Sequence, residues 1–349
     1  MGQAVGYVFA AIFLDILRVK FGRASVLAIG NISLLLGYIP AAVGAPYALV
    51  AVALFLVGFG AAVNMALGNI FCGGLQNGTL ILGLLHGCYG IGGTISPLIA
   101  TTFVVAVKTA WHWFYLLPLG FSILTLLSSM WVFRGYEQGS DPVTREGETT
   151  KAESAFLAIL STLRMRVVLL GAVFIFAYQG AEVSISGWVI SFLIDARGGD
   201  PAKVGYVSAG FWAGITIGRF ALSGPAQRWG ERYFVYGFTV VSLAFELLVW
   251  LVPNVIGNAI AVSIVGLAMG PIYPCAAAVF MRNMTRQDSL RGMVAISASG
   301  SLGGAMAPFL TGLLAQEAGT FVLHPIVISL LGVMLACWYG IPGKARRDE

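Results

Sequence analysis

The stretch FAYQGAEVSISGW, from Phe176 to Trp188, places one carboxylate, Glu182, inside a long apolar segment. On a helix, Tyr178, Gln179 and Ser186 share its face, because they lie three or four positions away. A charged side chain at mid-helix costs about 2.5–3.5 kcal/mol on membrane-insertion scales, and desolvation favours its neutral form. We therefore predict that Glu182 takes up and releases a proton. The alternative is a structural hydrogen bond to a neighbouring helix.

A second charged residue, Arg219, lies within the apolar stretch FWAGITIGRF. Trp212 is expected on the same helical face. Three roles are open for this arginine. It could contact an anionic or hydroxylated solute, it could pair with Glu182, or its guanidinium could snorkel to the membrane surface.

Other polar residues also interrupt apolar segments. Asn64 has Gly60 and Gly68 on its face, so it lines a cavity or bonds across a close helix contact. In GPIYPC, Pro271 and Pro274 each remove a backbone donor and are expected to kink the helix around Tyr273. The predicted cavity wall consists of Arg219, Gln179, Tyr178, Ser186, Asn64, Tyr273 and Trp212.

Two further ionisable residues are weaker candidates. Glu246, in AFELLVW, is the first of them. His86 can titrate near neutral pH, but we expect it close to a helix end. A structural histidine is at least as good an interpretation there.

The composition identifies the elements that must hold these residues. The chain is 58% hydrophobic and 10% charged, whereas a soluble domain carries about 25% charged residues. The 45 glycines suit closely packed helices in lipid. Cys72, Cys88, Cys275 and Cys337 lack metal or redox spacing and are interpreted as packing residues. The sequence therefore predicts an all-α integral membrane protein.

Apolar segments of about 20 residues indicate membrane spans. Eleven are predicted, at 2–15, 24–43, 47–71, 79–106, 112–133, 166–193, 204–222, 233–252, 255–281, 291–316 and 322–341. The first begins at Met1 without the basic region of a signal peptide, so we do not interpret it as one.

Basic residues predict the orientation of these spans. Sixteen Lys and Arg residues fall on one side and three on the other, so the basic side is predicted to be cytoplasmic. The predicted organisation is a five-helix bundle at 1–133, a cytoplasmic linker at 134–165, a six-helix bundle at 166–341 and a cytoplasmic tail at 342–349.

Short motifs recur between the two halves. GIGGTISP at 90–97 matches SLGGAMAP at 301–308, and VGFG at 57–60 matches VGLA at 265–268, with offsets of 211 and 208. KFGR at 20–23 matches RWGE at 228–231, again with an offset of 208. Ordered matches at nearly one offset predict two parallel repeats. Because the second half has one more helix, we expect one helix of the fold, the first, to be absent from this sequence.

The repeated glycine–proline motifs are candidate hinges. Glycine allows close helix packing, and proline allows bending. The predicted hinge and packing residues are Gly92, Gly93, Pro97, Gly303, Gly304, Pro308, Pro271 and Pro274.

The sequence resembles the major facilitator superfamily, and within it a fungal branch described as bypass-of-stop-codon-like or fucose-permease-like. The resemblance is carried by LHGCYGIGGTISPLIATTFV, GAEVSISGWVISFLI, GFWAGITIGRF, ELLVWLVPNVIGNAIAVSIVGLAMGPIYPCA and SLGGAMAPFLTGLLAQEAGTFVLHP. It covers much of the chain and implies a two-bundle fold with about eleven of twelve helices present. It also implies alternating-access transport of a small solute, with a sugar or polyol favoured and drug efflux open. In the superfamily layout the helix of Glu246 is peripheral, so the resemblance favours a structural bond or an interface role over transport for this residue.

The sequence departs from the family pattern in two places. The superfamily's cytoplasmic loop motif is only partly present, because Asp15 is followed by Gly22 and Arg23 at a longer spacing. The absent first helix lines the central cavity in this family. A shortened, non-transporting isoform with a regulatory role is therefore an alternative.

Enzyme motifs are missing from the sequence. It contains no Walker-type phosphate loop, no HExxH and no GxSxG. We predict no enzyme activity, no cofactor, no metal and no nucleic-acid partner. The expected partners are a small solute, protons and the lipid bilayer. We expect a monomer, in the plasma membrane rather than a vacuolar or other internal membrane.

Overall fold

The computed structural model of the protein describes residues 2–103, 107–134, 162 and 164–342. Within those ranges all regular secondary structure is helical, which confirms the all-α prediction. Most of the predicted linker and tail lies outside the described residues. The side chains of Asp15 and Pro97, two predicted motif residues, also lie outside them.

Helices occupy every predicted span. They are α1 (Gly2–Phe21), α2 (Arg23–Ala42), α3 (Tyr47–Gly73), α4 (Gly78–Thr101), α5 (Leu116–Phe133), α6 (Arg166–Asp195), α7 (Val207–Trp229), α8 (Glu231–Leu251), α9 (Val255–Met269), α10 (Ile272–Arg282), α11 (Arg286–Ala318) and α12 (Leu323–Gly340). Short helical turns lie at Trp111–Tyr115, Pro201–Val204 and Thr320–Val322.

Nine spans among the described residues are long and apolar enough to cross a membrane. The apolar part of α1, Gly2–Leu14, is shorter. Helix α7 is not among the nine, because Arg219 and its glycines and serines lower its mean hydropathy. The prediction of an integral, multi-pass membrane protein is confirmed.

The predicted span 255–281 is divided at a proline. Helix α9 ends at Met269 and α10 begins at Ile272, with Gly270 and Pro271 between them. The helix is therefore interrupted at Pro271, and the kink predicted there stays a prediction. Pro274 differs from expectation, because it lies in the first turn of α10, where its missing N–H needs no helical partner.

The chain forms two compact units. The first contains the described residues of Met1–Ile70, Ile99–Met165 and Arg286–Ala298. Its core includes Leu14, Val26 and Val63, which are almost fully buried. The second contains those of Phe71–Leu98, Arg166–Thr285 and Ser299–Glu349. The predicted division of the bundles at the linker stays a prediction.

The core of the second unit joins helices that are distant in sequence. Phe174 on α6, Phe280 on α10 and Trp338 on α12 pack as a ring cluster, with centroids 5.2–6.1 Å apart. Trp338 also donates from Nε1 to the carbonyl of Arg232 at 3.0 Å. These contacts hold α6 against the rest of the unit.

Glycines allow two helices to approach α7 closely. Gly83 of α4 lies against Ser223, and Gly87 lies against Phe220. On another side, Gly214 and Gly218 of α7 lie against the backbone of α9. A Cβ atom at any of these glycines would overlap its neighbour. Helix α7, which carries Arg219, is therefore fixed between α4 and α9.

Candidate functional site

The two charged residues singled out in the sequence form an ion pair in the second unit. Glu182 on α6 and Arg219 on α7 are joined by a 3.2 Å contact between Oε2 and Nη2. Their side chains are only 5% and 3% exposed. Of the three roles open for Arg219, pairing with Glu182 is the one observed. Snorkelling is wrong, because the guanidinium is buried.

Further contacts fix the guanidinium of Arg219. Nη1 donates to the backbone carbonyl of His86 at 3.0 Å, and Nη2 donates to the Tyr178 hydroxyl at 3.3 Å. Cζ lies 5.7 Å from the centroid of the Tyr89 ring, within cation–π range. Nε has no hydrogen-bond partner in the described part of the chain. The arginine thus joins α4, α6 and α7 at one point.

Aromatic side chains surround this ion pair. Tyr178 donates from its hydroxyl to the carbonyl of Met269 at 3.4 Å. Met269 ends α9 at the proline break, and terminal helix carbonyls lack helical donors. The ring of Tyr273 lies 5.8 Å from that of Tyr178 and 4.5 Å from that of His86, between centroids. The break between α9 and α10 therefore supplies both an acceptor and an aromatic wall.

Trp212 lies on the same helix as Arg219. Its ring contacts Gly93 and lies 5.9 Å from the ring of Tyr89. Tyr89 is more than half exposed, whereas the Glu182–Arg219 pair is not. Tyr89 and Trp212 therefore lie between the buried ion pair and an exposed edge of the unit.

Two other predicted wall residues of α6 make different contacts. Gln179 lies against Gly300 of α11. Ser186 donates to the carbonyl of Val183 in its own helix, and its own carbonyl accepts from Ser208. Their contacts are those of helix packing, so the structure does not bring them together with Arg219.

Asn64 belongs to the first unit. Its Nδ2 donates to the carbonyl of Gly60 at 2.8 Å, which is a bond within its own helix. With Asn31 and Ser129, which are themselves hydrogen-bonded at 3.0 Å, it lines a groove of about 230 Å³. Asn64 therefore faces a polar groove of its own unit.

The predicted hinge glycines are not equivalent. Gly93 contacts the ring of Trp212, whereas a Cβ at Gly92 would meet no atom within 4 Å. Gly303 lies against the backbone of Phe176, and Gly304 lies near Val183. Pro308 lies inside α11, and its carbonyl accepts from Trp188 Nε1 at 3.0 Å. The structure shows close packing at Gly93 and Gly303, and the hinge role stays a prediction.

The partial loop motif lies at a sharp helix junction. Gly22 separates α1 from α2 and has a φ of 82°, a backbone conformation that favours glycine. Arg23 is the first residue of α2. The positive φ at this junction therefore explains why the motif has a glycine at position 22.

His86 was not predicted as a residue of the cavity wall, but it lies at this site. It is buried at 4% exposure, against Tyr273 and Arg219, rather than at a helix end. The available signal was an ionisable residue inside an apolar segment. Among the described residues, no group of three or more His, Cys, Asp or Glu side chains could hold a metal ion.

Comparisons with known proteins agree with this fold. The E. coli fucose:proton symporter has a TM-score of 0.78 at 19% identity, over 98% of this chain and 90% of that one. The proton:xylose symporter bound to 6-bromo-6-deoxy-D-glucose has a TM-score of 0.74 at 11% identity, over 98% and 85%. At these identities the likeness establishes the fold.

Curated relatives match by sequence. Bypass of stop codon protein 6 of Saccharomyces cerevisiae is 27% identical over 270 residues, which are 68% of this chain and 53% of that protein. The glucose/galactose transporter of Brucella abortus is 28% identical over 174 residues, 48% of this chain and 41% of that protein. The chain thus spans about half the length of the curated relatives it matches.

A match to a family model shows which family the chain belongs to. The model of the Major Facilitator Superfamily matches residues 1–287 and 181–349, which together cover the whole chain. The match confirms the resemblance seen in the sequence and the prediction that the chain is not an enzyme. The chain belongs to the Major Facilitator Superfamily.

Proposed function

We propose that this chain is a secondary transporter that moves a small, neutral, hydroxylated solute, such as a sugar or polyol, by alternating access. We further propose that transport is coupled to protons through Glu182. The observation that carries the proposal is the buried Glu182–Arg219 pair, with Tyr178 and Tyr273 beside it.

The ion pair supports proton coupling by its charge balance. Arginine stays protonated in proteins, so protonation of Glu182 would leave a positive charge buried without its partner. A buried, unpaired charge is strongly unfavourable. Protonation of Glu182 therefore requires Arg219 to move or to gain a new acceptor. In this way the proton and the arrangement of α6 and α7 depend on each other.

The same balance favours a neutral solute. The Arg219 charge is already compensated by Glu182, so an anion would have to displace the carboxylate. A hydroxylated solute could instead accept from Arg219 and pack on the rings of Tyr89 and Trp212. Binding sites for small molecules commonly combine aromatic walls with a few placed polar groups.

The relatives are consistent with this solute class. Fucose and xylose with protons, and glucose or galactose, appear in the names of proteins that resemble this chain. A human organic anion transporter also shares the fold, with a TM-score of 0.68 at 14% identity. The pairing of Arg219 with Glu182 favours a neutral solute over an anion.

The location and assembly of the protein belong to the same proposal. We place it in the plasma membrane as a monomer, with the basic loops on the cytoplasmic side. Epitope tags within the predicted linker at 134–165 and after Arg347, probed in intact and permeabilised cells, test the orientation. Labelling of either tag in intact cells would contradict it.

The solute class can be tested with purified protein. We would measure the thermal unfolding midpoint with a panel of neutral hexoses, pentoses and polyols and with organic anions. We expect a neutral hydroxylated compound to raise the midpoint, and Tyr178→Phe to reduce that increase. The matched control is Tyr233→Phe, since the Tyr233 side chain is exposed.

The possible outcomes separate the alternatives. Stabilisation by organic anions alone would contradict the neutral-solute proposal. If no compound stabilises the protein and reconstituted vesicles show no solute uptake, the transport proposal itself is wrong and a non-transporting role is favoured.

A further inference from the structure

A second buried acid–base contact lies in the second unit. Glu246 on α8 and His324 on α12 are joined by a 2.6 Å contact between Oε1 and Nδ1, and both side chains are 1% exposed. The sequence predicted a structural bond or an interface role for Glu246 and assigned nothing to His324. Ionisable residues inside a membrane are costly and are commonly functional.

The surroundings of this contact are apolar and aromatic. The His324 ring meets Phe192 of α6 edge-on, with centroids 4.2 Å apart. The guanidinium of Arg197 lies over Phe192 and Phe321, 5.0 and 5.2 Å from their centroids. It donates to the carbonyls of Val249 and Trp250 at the end of α8. The guanidinium of Arg197 is thus a nearby charged group, and it contacts aromatic rings and backbone carbonyls.

Other charged groups of the surrounding helices are exposed, paired or lie toward the other end of α8. Helix α9 carries no titratable side chain, and the side chains of Asp195, at the end of α6, and Glu317, at the end of α11, are exposed. Glu231 pairs with Arg282 at 2.9 Å at the opposite end of α8, about 22 Å along the helix from Glu246. Arg219 pairs with Glu182, and Arg228 and Arg232 lie near Glu231 in sequence.

The charge of the pair depends on how many protons it holds. A 2.6 Å contact between a carboxylate oxygen and an imidazole nitrogen is a hydrogen bond. With one proton more than a carboxylate and a neutral imidazole, the pair has no net charge. Loss of that proton to water leaves a net charge of −1, and a further proton gives +1. Burial favours the uncharged pair, because an isolated charge in an apolar environment is costly.

This pair differs from Glu182–Arg219 in how it can separate. If Glu182 and Arg219 part, the arginine keeps its charge. Glu246 and His324 can part as a neutral acid and a neutral imidazole, with no charge left in the apolar interior. Oε2 of Glu246 and Nε2 of His324 have no hydrogen-bond partner among the described protein groups. Among the described residues, the hydrogen bond between Oε1 and Nδ1 is therefore the one that the two side chains make.

We propose that Glu246 and His324 form a second proton-binding site, distinct from Glu182, in which one shared proton links α8 to α12. While the site is buried, the proton is held. When the end of α8 near Leu251 becomes solvated, the proton passes to water and the carboxylate is hydrated. The proposal does not depend on the solute or on the role of Glu182.

The experiment measures the thermal unfolding midpoint from about pH 5 to about pH 9, where histidine titrates. The proteins are the wild type, Glu246→Gln, His324→Asn and the double variant. We expect each single variant to lower the midpoint near neutral pH by on the order of 5–10 °C. The double variant should regain most of this loss, because two amides can hydrogen-bond without a dissociable proton. Glu231→Gln is the control, since Glu231 pairs with an arginine.

The pH profile is the decisive readout. We expect the wild-type midpoint to fall between about pH 6 and about pH 9 by more than that of the double variant, because the unfolded chain loses its histidine proton in this range whereas the buried pair keeps one proton. Glu231→Gln should retain this fall with rising pH. Identical profiles for the wild type and the double variant would overturn the proposal, as would single variants that leave the midpoint unchanged. Solute uptake enters neither result, so failure here is separate from failure of the transport proposal.

Discussion

The guanidinium of Arg219 lies 3.2 Å from the Glu182 carboxylate, and the same Nη2 atom lies 3.3 Å from the Tyr178 hydroxyl. Glu182 and Tyr178 are one helical turn apart on α6, so Arg219 of α7 contacts two residues on a single face of that helix. A change in the charge of Glu182 therefore directly alters the interaction between α6 and α7.

The pair should show strong coupling in stability. We expect Arg219→Gln to lower the free energy of unfolding by about 3–5 kcal/mol, because it leaves a buried carboxylate without its cation. The double variant Glu182→Gln/Arg219→Gln should regain most of that loss. Thermal unfolding in detergent measures both.

An exposed ion pair provides the control for this experiment. Lys203 and Asp200 are 3.8 Å apart with side chains 84% and 52% exposed, and such pairs contribute little. Asp200→Asn should leave the midpoint almost unchanged. Additive losses in the Glu182/Arg219 double variant would contradict the coupling.

The glycines of the first repeated motif should respond differently to alanine. Gly93→Ala places a Cβ 2.7 Å from the Trp212 ring, and we expect a loss of about 1–3 kcal/mol from overpacking. Gly92→Ala meets open space and should be neutral or slightly stabilising, because alanine favours helix over glycine. Equal losses for the two variants would show that Trp212 is not held at Gly93.

Close packing of α7 on α9 should also position Arg219. In Gly218→Ala the new Cβ would overlap the backbone of Leu267, so we expect α7 to shift and the protein to lose about 1–3 kcal/mol of stability. Any solute-induced rise in the midpoint should fall as well. Gly237→Ala is the control, since a Cβ there meets nothing within 4 Å. A Gly218→Ala protein with wild-type stability and solute response would contradict this view.

A polar network at one end of the second unit gives a smaller effect. Oε1 of Glu231 accepts from Thr79 Oγ1 and from Arg282 Nη2, each at 2.9 Å. Thr79→Val should cost about 1 kcal/mol, because it removes one hydrogen bond to a buried group. Thr125→Val is the comparison, since the recorded bonds of Thr125 go to carbonyls of its own helix. A loss no greater than that of Thr125→Val would sink the prediction.

The helices were predictable from the sequence, because a membrane span needs a long apolar segment and little else. The partners of buried polar residues were not. Glu182 and Arg219 are 37 residues apart, and Glu246 and His324 are 78 apart, so only helix packing brings them together. Arg219 illustrates the limit, since the sequence left three roles open: burial excludes snorkelling, the contact with Glu182 shows the pairing, and solute contact stays a prediction.

Local context explains the remaining differences. Pro274 was expected to kink a helix, but α10 begins only two residues before it, and proline is tolerated in a first turn. Gln179 lies three residues from Glu182 and Tyr178 lies four, so both are expected on its face, yet Gln179 faces α11 because Gly300 leaves room there. Spacing alone gives a face to within about one residue, which cannot separate these two neighbours.

The most direct test of the account is the response of Glu182→Gln protein to a proton gradient. Wild-type and variant proteins in vesicles would be compared for solute accumulation driven by an inward proton gradient and for solute exchange without one. We predict that the variant loses accumulation and retains exchange, and retained exchange also shows that it is folded. Accumulation by the variant at the wild-type level would contradict the assignment of Glu182 as the proton-coupling residue.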